Sequence, residues 1–405
     1  MKGSWTPVAL AIPVFFLFIG IEAWVAWRSQ RHVYRSGDVV ADLGCGVFQQ
    51  LVSLFARTLL AAGYLGVYAS FRFHEWASNS VVTWLVAFVL VDFCYYWFHR
   101  TSHGVSFMWA AHVVHHQSED YNLAVALRQG AAQAFFSWAF YLPLALLGIP
   151  PIVYFTCHAL NTLYQFWIHT RLVGRLGPVE WVMNTPSHHR VHHGRDPKYI
   201  DKNHAGTFIV WDRLFGTFQA EEEEPTYGIT HAVNSFDPIR SHIKPWQELL
   251  HRSRCARGWD RFWVWLKEPG WTPEGVTWAP AKPLDAPKYE PSVSAGTGRY
   301  ALIQFAPLVP LTMALIYVRA SGPFDIKLLT AGFAVWTLVS LAGAVEARAW
   351  AVRSEGVRLS CLPLVAVVFC RSFGFPGEVP VLLALTFTVL GFVLRLPFAR
   401  IPRMG

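Results

Sequence analysis

Apolar residues run through this chain in long blocks, not in the short alternations of a soluble fold. The blocks occupy about residues 5–27, 43–70, 81–98, 131–148, 151–168, 300–318, 327–345, 359–374 and 379–395. Those at 81–98, 300–318, 327–345 and 379–395 meet the ~17–25 residues that a bilayer span requires. The block at 359–374 is short, and the one at 43–70 contains Arg57 and reads as partly interfacial. The first is too long, and too rich in Trp at its end (Trp24, Trp27), for a cleaved signal peptide, and no small-residue cleavage site follows it. The pattern predicts an all-α polytopic membrane bundle in three parts. Residues 1–98 supply three transmembrane helices. Residues 99–298 are more polar and are interrupted by an apolar hairpin over 131–168, bent at Ile149-Pro150-Pro151. Residues 299–405 supply about four further helices.

Composition agrees. Hydrophobic residues make up 53% and charged residues 15%, with a mean hydropathy of +0.30, which is membrane-protein usage. Arginines then orient the bundle. Arg28, Arg31 and Arg35; Arg171 and Arg175; Arg348, Arg353 and Arg358; and Arg395, Arg400 and Arg403 fall at one set of loop ends. The opposite ends hold only Lys2, Arg72, Arg319, Lys327 and Arg371. The positive-inside rule places the first set in the cytoplasm, in the endoplasmic reticulum or a bacterial inner membrane. The net charge of +8 is therefore topological, and no basic stripe interleaved with aromatics points to nucleic acid. The six cysteines are scattered without a CxxC pair and read as small apolar residues, not a disulfide framework. The run Glu221 to Glu224 reads as a solvated loop. Trp259, Trp263, Trp265, Trp271 and Trp278 suit a membrane–water interface.

Chemistry enters with histidine. Eight residues fall in three clusters: His99 and His103; His112, His115 and His116; His189, His192 and His193. Spacings of three and four put each cluster on one helical face. Eight imidazoles exceed what one four- to six-coordinate ion needs, so the arithmetic favours two metals side by side. The first cluster follows the apolar run 91–98, where a membrane helix reaches the cytoplasm. His169, four residues after Gln165 at the cytoplasmic end of the hairpin, is placed to be a ninth ligand, whereas His158 lies deeper as a hydrogen-bonded membrane histidine. His188 is a spare, because successive helical residues point about 100° apart. His32, His74, His231, His242 and His251 are isolated and fit ordinary surface positions. Asp92 shares a face with Tyr96, His99 and His103. It is either a carboxylate orienting a ligand imidazole or a polar contact between helices.

No HExxH, GxSxG, Walker or GxGxxG motif is present, which removes the common hydrolase and nucleotide readings. Iron suits nitrogen ligands and can activate dioxygen, and a site at the end of a membrane bundle suits oxidation of an alkyl chain. A metal carrier would place its ligands near the bilayer midplane on broken helices, which the positions at helix ends argue against.

The three boxes in this order, over about residues 80–220, resemble the fatty acid hydroxylase/sterol desaturase superfamily. The stretches His112–Gln129, Tyr164–Thr170 and Asn184–Gly194 resemble its branch acting on glyceryl ethers, as do Asp201-Lys202-Asn203 and 211–218. The resemblance implies a membrane di-iron monooxygenase that uses dioxygen and tetrahydrobiopterin to hydroxylate the ether-linked carbon of alkylglycerols. The products are a fatty aldehyde and a glycerol derivative. Hydroxylation or desaturation of fatty acids, sterols or sphingoid chains is the alternative. The resemblance implies His99, His103, His112, His115, His116, His169, His189, His192 and His193 as metal ligands. Glu119, Asp120 and Asn122 become candidate catalytic residues, and Arg128 and Gln165 candidate cofactor contacts, with structural capping as the competing role for the residues after the second box. Gln165 stands where some members have histidine. The partners implied are a lipid in the bilayer and an external reductant.

Overall fold

A computed structural model describes residues 7–319, 321–376 and 378–395, without the side chains of 7–9, 57–60 and 395. Lys2, Arg400 and Arg403 of the charge pattern, and the side chains of Arg57 and Arg395, lie outside these. The described residues are helical apart from loops, and their only bridges are the isolated pairs Met183–Phe208 and Gly194–Tyr227.

Three long helices open the chain: α1 (Pro7–Arg28), α2 (Ser36–Phe71) and α3 (Val81–Gly104). The apolar run of α3 passes without a break into His99-Arg100-Thr101-Ser102-His103, so the helix carries the first histidine pair on its last turns. Short pieces follow: α4 (Ser106–His112), α5 (Ala134–Phe140) and α6 (Leu142–Leu146). The expected first arm of the hairpin is thus not one helix. It breaks at Tyr141, where Pro143 starts α6 afresh, and turns at Gly148. Gly148 has φ +83°, and a Cβ there would lie 1.7 Å from the His74 carbonyl oxygen, so only glycine fits. The second arm is one helix, α7 (Pro151–Trp167), begun by proline at its first turn.

The polar region continues with α8 (Pro186–His192), α9 (Val210–Leu214), α10 (Pro238–Cys255) and α11 (Asp260–Leu266). Asp237 caps α10 by accepting from the backbone of Ile239 at 2.8 Å and Arg240 at 3.3 Å. The last part holds α12 (Ala295–Phe305), α13 (Leu308–Tyr317), α14 (Phe324–Val345), α15 (Ala351–Phe373) and α16 (Glu378–Arg395). Helix α2 runs between these and the histidine-bearing part. Val40, Leu43, Val47 and Leu51 share a buried cluster with Tyr300, Phe305, Leu338 and Leu341.

Among the described residues, six segments are long and apolar enough to cross a membrane: Leu10–Arg28, Ser36–Ala56, Val81–Gly104, Ala295–Tyr317, Phe324–Val345 and Ala351–Phe373. Glu378–Leu394 is a further apolar helix, 17 residues long within the described part of the chain. The run 359–374 gains length because the helix begins at Ala351 and takes in Glu355 and Arg358. These two form a buried bidentate pair with both N···O distances at 2.7 Å, and Arg358 also donates to Gln304 at 3.0 Å. Arg358 is therefore an internal charge and not a flanking one. Arg31 donates to the Arg171 carbonyl at 3.3 Å, and Arg35 pairs with Asp120 at 2.7 Å. Two of the basic loop ends thus gather on the histidine side of the bundle.

Candidate metal centre

All nine singled-out histidines are buried, none more than 6% exposed, and they sort into two groups. His99, His103, His112, His116 and His192 form the first; His115, His169, His189 and His193 form the second. Within each group one ring nitrogen per residue lies within 4.8 Å of the others. The sorting follows helix geometry. The i, i+4 pairs His99/His103 and His112/His116 go to the first group, and His189/His193 goes to the second. In the doublets His115-His116, on a 3-10 turn, and His192-His193, at the end of α8, neighbours point about 100–120° apart, so each doublet gives one ring to each group. The groups abut where the rings of His116 and His193 stack at 4.4 Å.

The outer nitrogens are held. His99 Nδ1 faces the His204 carbonyl at 2.8 Å, His112 Nδ1 the Gln133 Oε1 at 2.8 Å, and His192 Nδ1 the Lys202 carbonyl at 2.9 Å. In the second group His115 Nδ1 faces the Arg128 carbonyl and His169 Nδ1 the Gln165 carbonyl, both at 2.7 Å. Carbonyl oxygens only accept, so these rings are protonated on Nδ1 and direct a lone pair inward from Nε2. Yet His99 and His112 bring their Nε2 atoms within 3.0 Å, and His115 and His169 bring theirs within 3.2 Å. Two lone pairs cannot bond each other; a cation between them removes the conflict. The buried Nε2 atoms of His103, His192 and His193 have no hydrogen-bond partner at all. A set of neutral imidazoles with orphaned inward nitrogens fits a pair of non-haem iron ions.

Burial holds seven of these rings neutral. It lowers His112 to about 3, with the His103 ring adding to the effect, and His169 to about 4. His115, His116, His189, His192 and His193 are pushed well below the usual range by burial and then by neighbouring imidazoles.

The side chains of the other singled-out residues surround the two histidine groups without reaching them. Asp92 touches no imidazole. It accepts from the backbone of Thr207 (2.6 Å) and Phe208 (3.0 Å), from Trp211 Nε1 (2.8 Å) and from Asn161 Nδ2 (2.5 Å). It therefore ties the 204–211 segment and α7 to α3. Gln165 turns its side chain to Asn161 and offers its backbone carbonyl to His169. Glu119 pairs with Lys282 and accepts from Tyr289 N at 2.5 Å, and Asp120 pairs with Arg35 and Lys288. Asn122 spans Val33 O at 2.7 Å and Ala124 N at 2.9 Å. The Arg128 guanidinium lies between Val114 O (2.6 Å), Gln117 (2.8 Å) and Asp42 (3.1 Å). His188 packs on Phe218 outside both groups, and His158 packs on Tyr141. Glu221 is no solvated charge: it holds Arg190 of α8 at 2.6 and 2.7 Å. His242 is buried as well, against Phe48.

His204 was not legible as part of the site. It is 1% exposed, its ring lies 5.0 Å from that of His103, and its carbonyl anchors His99. Its backbone N–H and that of Ala205 both donate to Asp212 at 2.8 Å. Its position directly after Asp201-Lys202-Asn203 was the available signal. A cavity of about 500 Å³ reaches His103, His116 and His192 of the first group but only His193 of the second, with Trp109 and Trp278 in its wall. The second group is covered instead by Tyr121, stacked on Tyr227 at 4.9 Å.

The fatty acid hydroxylase family model matches residues 84–217, which hold every one of these histidines. The chain is similar to the alkylglycerol monooxygenase of Xenopus tropicalis, 38% identical over 369 residues, or 87% of this chain and 80% of that protein. Against the Danio rerio protein of the same name it is 38% identical over 403 residues, covering 95% and 86%. Against the Homo sapiens protein it is 45% identical over 268 residues, covering 66% and 60%. No solved structure matches the chain significantly.

Proposed function

The chain belongs to the alkylglycerol monooxygenase family, and we propose that its two histidine groups hold two iron ions with which it hydroxylates the ether-linked carbon of alkylglycerols at the cytoplasmic face of its membrane. One observation carries the metal reading: nine buried imidazoles converge in two adjacent groups, several with the outer nitrogen committed to a carbonyl. Iron held there would supply the oxidant that breaks the C–H bond beside the ether oxygen, which no protein side chain provides. The hydroxylated carbon is a hemiacetal and separates into fatty aldehyde and glycerol derivative. Dioxygen would be the oxygen source, and a bound tetrahydrobiopterin would supply the two electrons that take its second atom to water.

The chain's own residues bind, orient and exclude. His99, His103, His112, His116 and His192 would hold the iron that the cavity reaches, and His115, His169, His189 and His193 the sealed one. Rings kept neutral by burial present lone pairs without competing protons. Glu119, Asp120, Asn122, Arg128 and Gln165 act in this reading through the segments they brace, because their polar atoms are engaged with the chain itself. The grouping of Arg31, Arg35 and Arg171 beside the histidines supports the cytoplasmic side through the positive-inside rule.

Metal analysis of the purified chain should find two irons. Fatty aldehyde should leave an alkylglycerol only when pterin and dioxygen are both supplied. Iron with activity confined to sterols or acyl chains would move the conclusion to another lipid C–H oxidation.

A further inference from the structure

Helix α11 sits apart from the membrane bundle but is fixed to it. Val264, its inner residue, packs in a small core with Ala110 of α4 and Leu249 and Ala256 of the α10 end. The carbonyl of Lys267, just past its C-terminus, accepts from Ser106 N at 3.0 Å and Ser106 Oγ at 2.8 Å. Ser106 stands two residues beyond Gly104, the end of the span Val81–Gly104. That span is 24 residues, about 36 Å at 1.5 Å per residue, against a hydrocarbon core of about 30 Å. Helix α11 is therefore pinned at the level where α3 leaves the bilayer.

The outer face of α11 is apolar. Trp259, Phe262, Trp263 and Leu266 are 80%, 51%, 42% and 37% exposed, and their spacing of three, four and seven puts them on one stripe. Scattered exposed hydrophobics need no explanation, but a contiguous stripe of large ones marks a contact surface. Around it stand four exposed cations, Arg254, Arg257, Arg261 and Lys267, against two acidic groups, Asp260 and Glu268. Trp265, Trp271 and Trp278 turn inward, so only part of the Trp-rich segment forms the stripe. Immediately after α11, Glu268, Pro269 and Gly270 line the cavity that reaches the histidines, together with Ser106 and Trp109.

We propose that residues 257–267 form an interfacial foot seated in the headgroup layer of an anionic leaflet, holding the mouth of the cavity against the membrane so that the polar end of the lipid is taken directly from the bilayer surface. Aromatic rings with wet edges and a basic rim are the side chains that settle at that depth. The use of the mouth rests on the lipid-oxidising function proposed above; the seating does not.

Two measurements test it on the full chain in vesicles. A spin label at Phe262→Cys, in a Cys255→Ser background, should be open to dissolved oxygen and shielded from a water-soluble nickel chelate. The vesicles are an equimolar mixture of phosphatidylcholine and phosphatidylglycerol. A label reached by the chelate would overturn the seating and leave the stripe to a protein partner. The double variant Arg257→Glu/Arg261→Glu should raise KM for an alkylglycerol in those vesicles by roughly twenty-five-fold, at about five-fold per basic group near an anionic surface. Its kcat and iron content should stay unchanged, and the difference should vanish in phosphatidylcholine alone. Equal KM in both vesicles would overturn the anionic preference. A chain without iron or activity would sink the proposed function while leaving the label result intact.

Discussion

The two histidine groups share the second and third boxes but are built to different standards of closure. The first has five rings and opens on a cavity, and its His103 is steadied only by Asp201 at 3.3 Å, whose side chain is 59% exposed. The second has four rings, two of them fixed to backbone carbonyls at 2.7 Å, and lies behind a stacked tyrosine pair. Four nitrogens with nothing to spare suit an ion that is kept. Five, one loosely held and facing open space, suit an ion that must accommodate another molecule. On that contrast the first ion would work on the lipid, and the second would support it from behind.

The largest effects should come from removing one ring from each side. His169→Ala leaves three nitrogens in the second group. Iron should fall from two to one per chain, and activity by at least about a hundred-fold, above the 10–100-fold typical of losing a mere supporting contact. His103→Ala leaves four in the first group. Both irons should stay, with turnover reduced about ten-fold, at the lower end of that range. Metal analysis beside aldehyde release checks both. If His103→Ala loses its iron as readily as His169→Ala, the two groups are equivalent and the contrast fails.

Much of this site was legible because histidine spacing survives without any knowledge of the fold. The i, i+4 pairs and the isolated His169 were visible, and so was the argument that neighbouring helical residues cannot share an ion. Applied to His188 and His189 it set one histidine aside; applied to His115-His116 and His192-His193 it gives the division between the groups. What the sequence could not show were contacts made by the backbone. The carbonyls of His204, Lys202, Arg128 and Gln165 orient four of the rings, and any residue type has a carbonyl. Asp92 offered two roles from sequence, and four donors placed it among polar contacts between segments. Helix ends were blurred for a similar reason. Hydropathy counts side chains, so it shortened α15 at the Glu355–Arg358 pair, which is neutral as a unit once buried.

A smaller effect tests the support behind the first group alone. Gly206 lies so close to α3 that a Cβ would sit 2.8 Å from both Asp92 Oδ1 and Tyr95 Cδ1. Gly206→Ala must push the 204–208 segment outward, costing about 1–3 kcal/mol of stability. It also withdraws the His204 carbonyl from His99. Iron should be bound roughly ten-fold more weakly in the first group and unchanged in the second. Equal weakening of both ions in a competition with a chelator would show that the supports are shared.

The least effect, and the one that isolates the second group's support, is expected from His242. It lies in α10 behind Arg128 and Gln129, with Nδ1 2.6 Å from the Pro238 carbonyl and Nε2 3.3 Å from the Gln129 carbonyl. Burial lowers it from 6.5 to about 4, with the Arg128 guanidinium adding to the effect. Between those values the folded chain keeps the ring neutral while the unfolded chain protonates it. Unfolding then takes up a proton, and stability falls as pH drops from about 6.5 toward about 4, at up to about 1.4 kcal/mol per pH unit for this group. Below about 4 both states are protonated and the loss stops. His242→Gln should cost within about 1 kcal/mol at pH 7, the size of one ordinary hydrogen bond, and should remove about one proton from the uptake in that window. Denaturant titrations of the variant and its parent at pH 7, 5.5 and 4.5 measure the slope. Parallel slopes would mean that His242 is already charged in the fold, and α10 would then brace the second group through Ser241 and Arg128 alone.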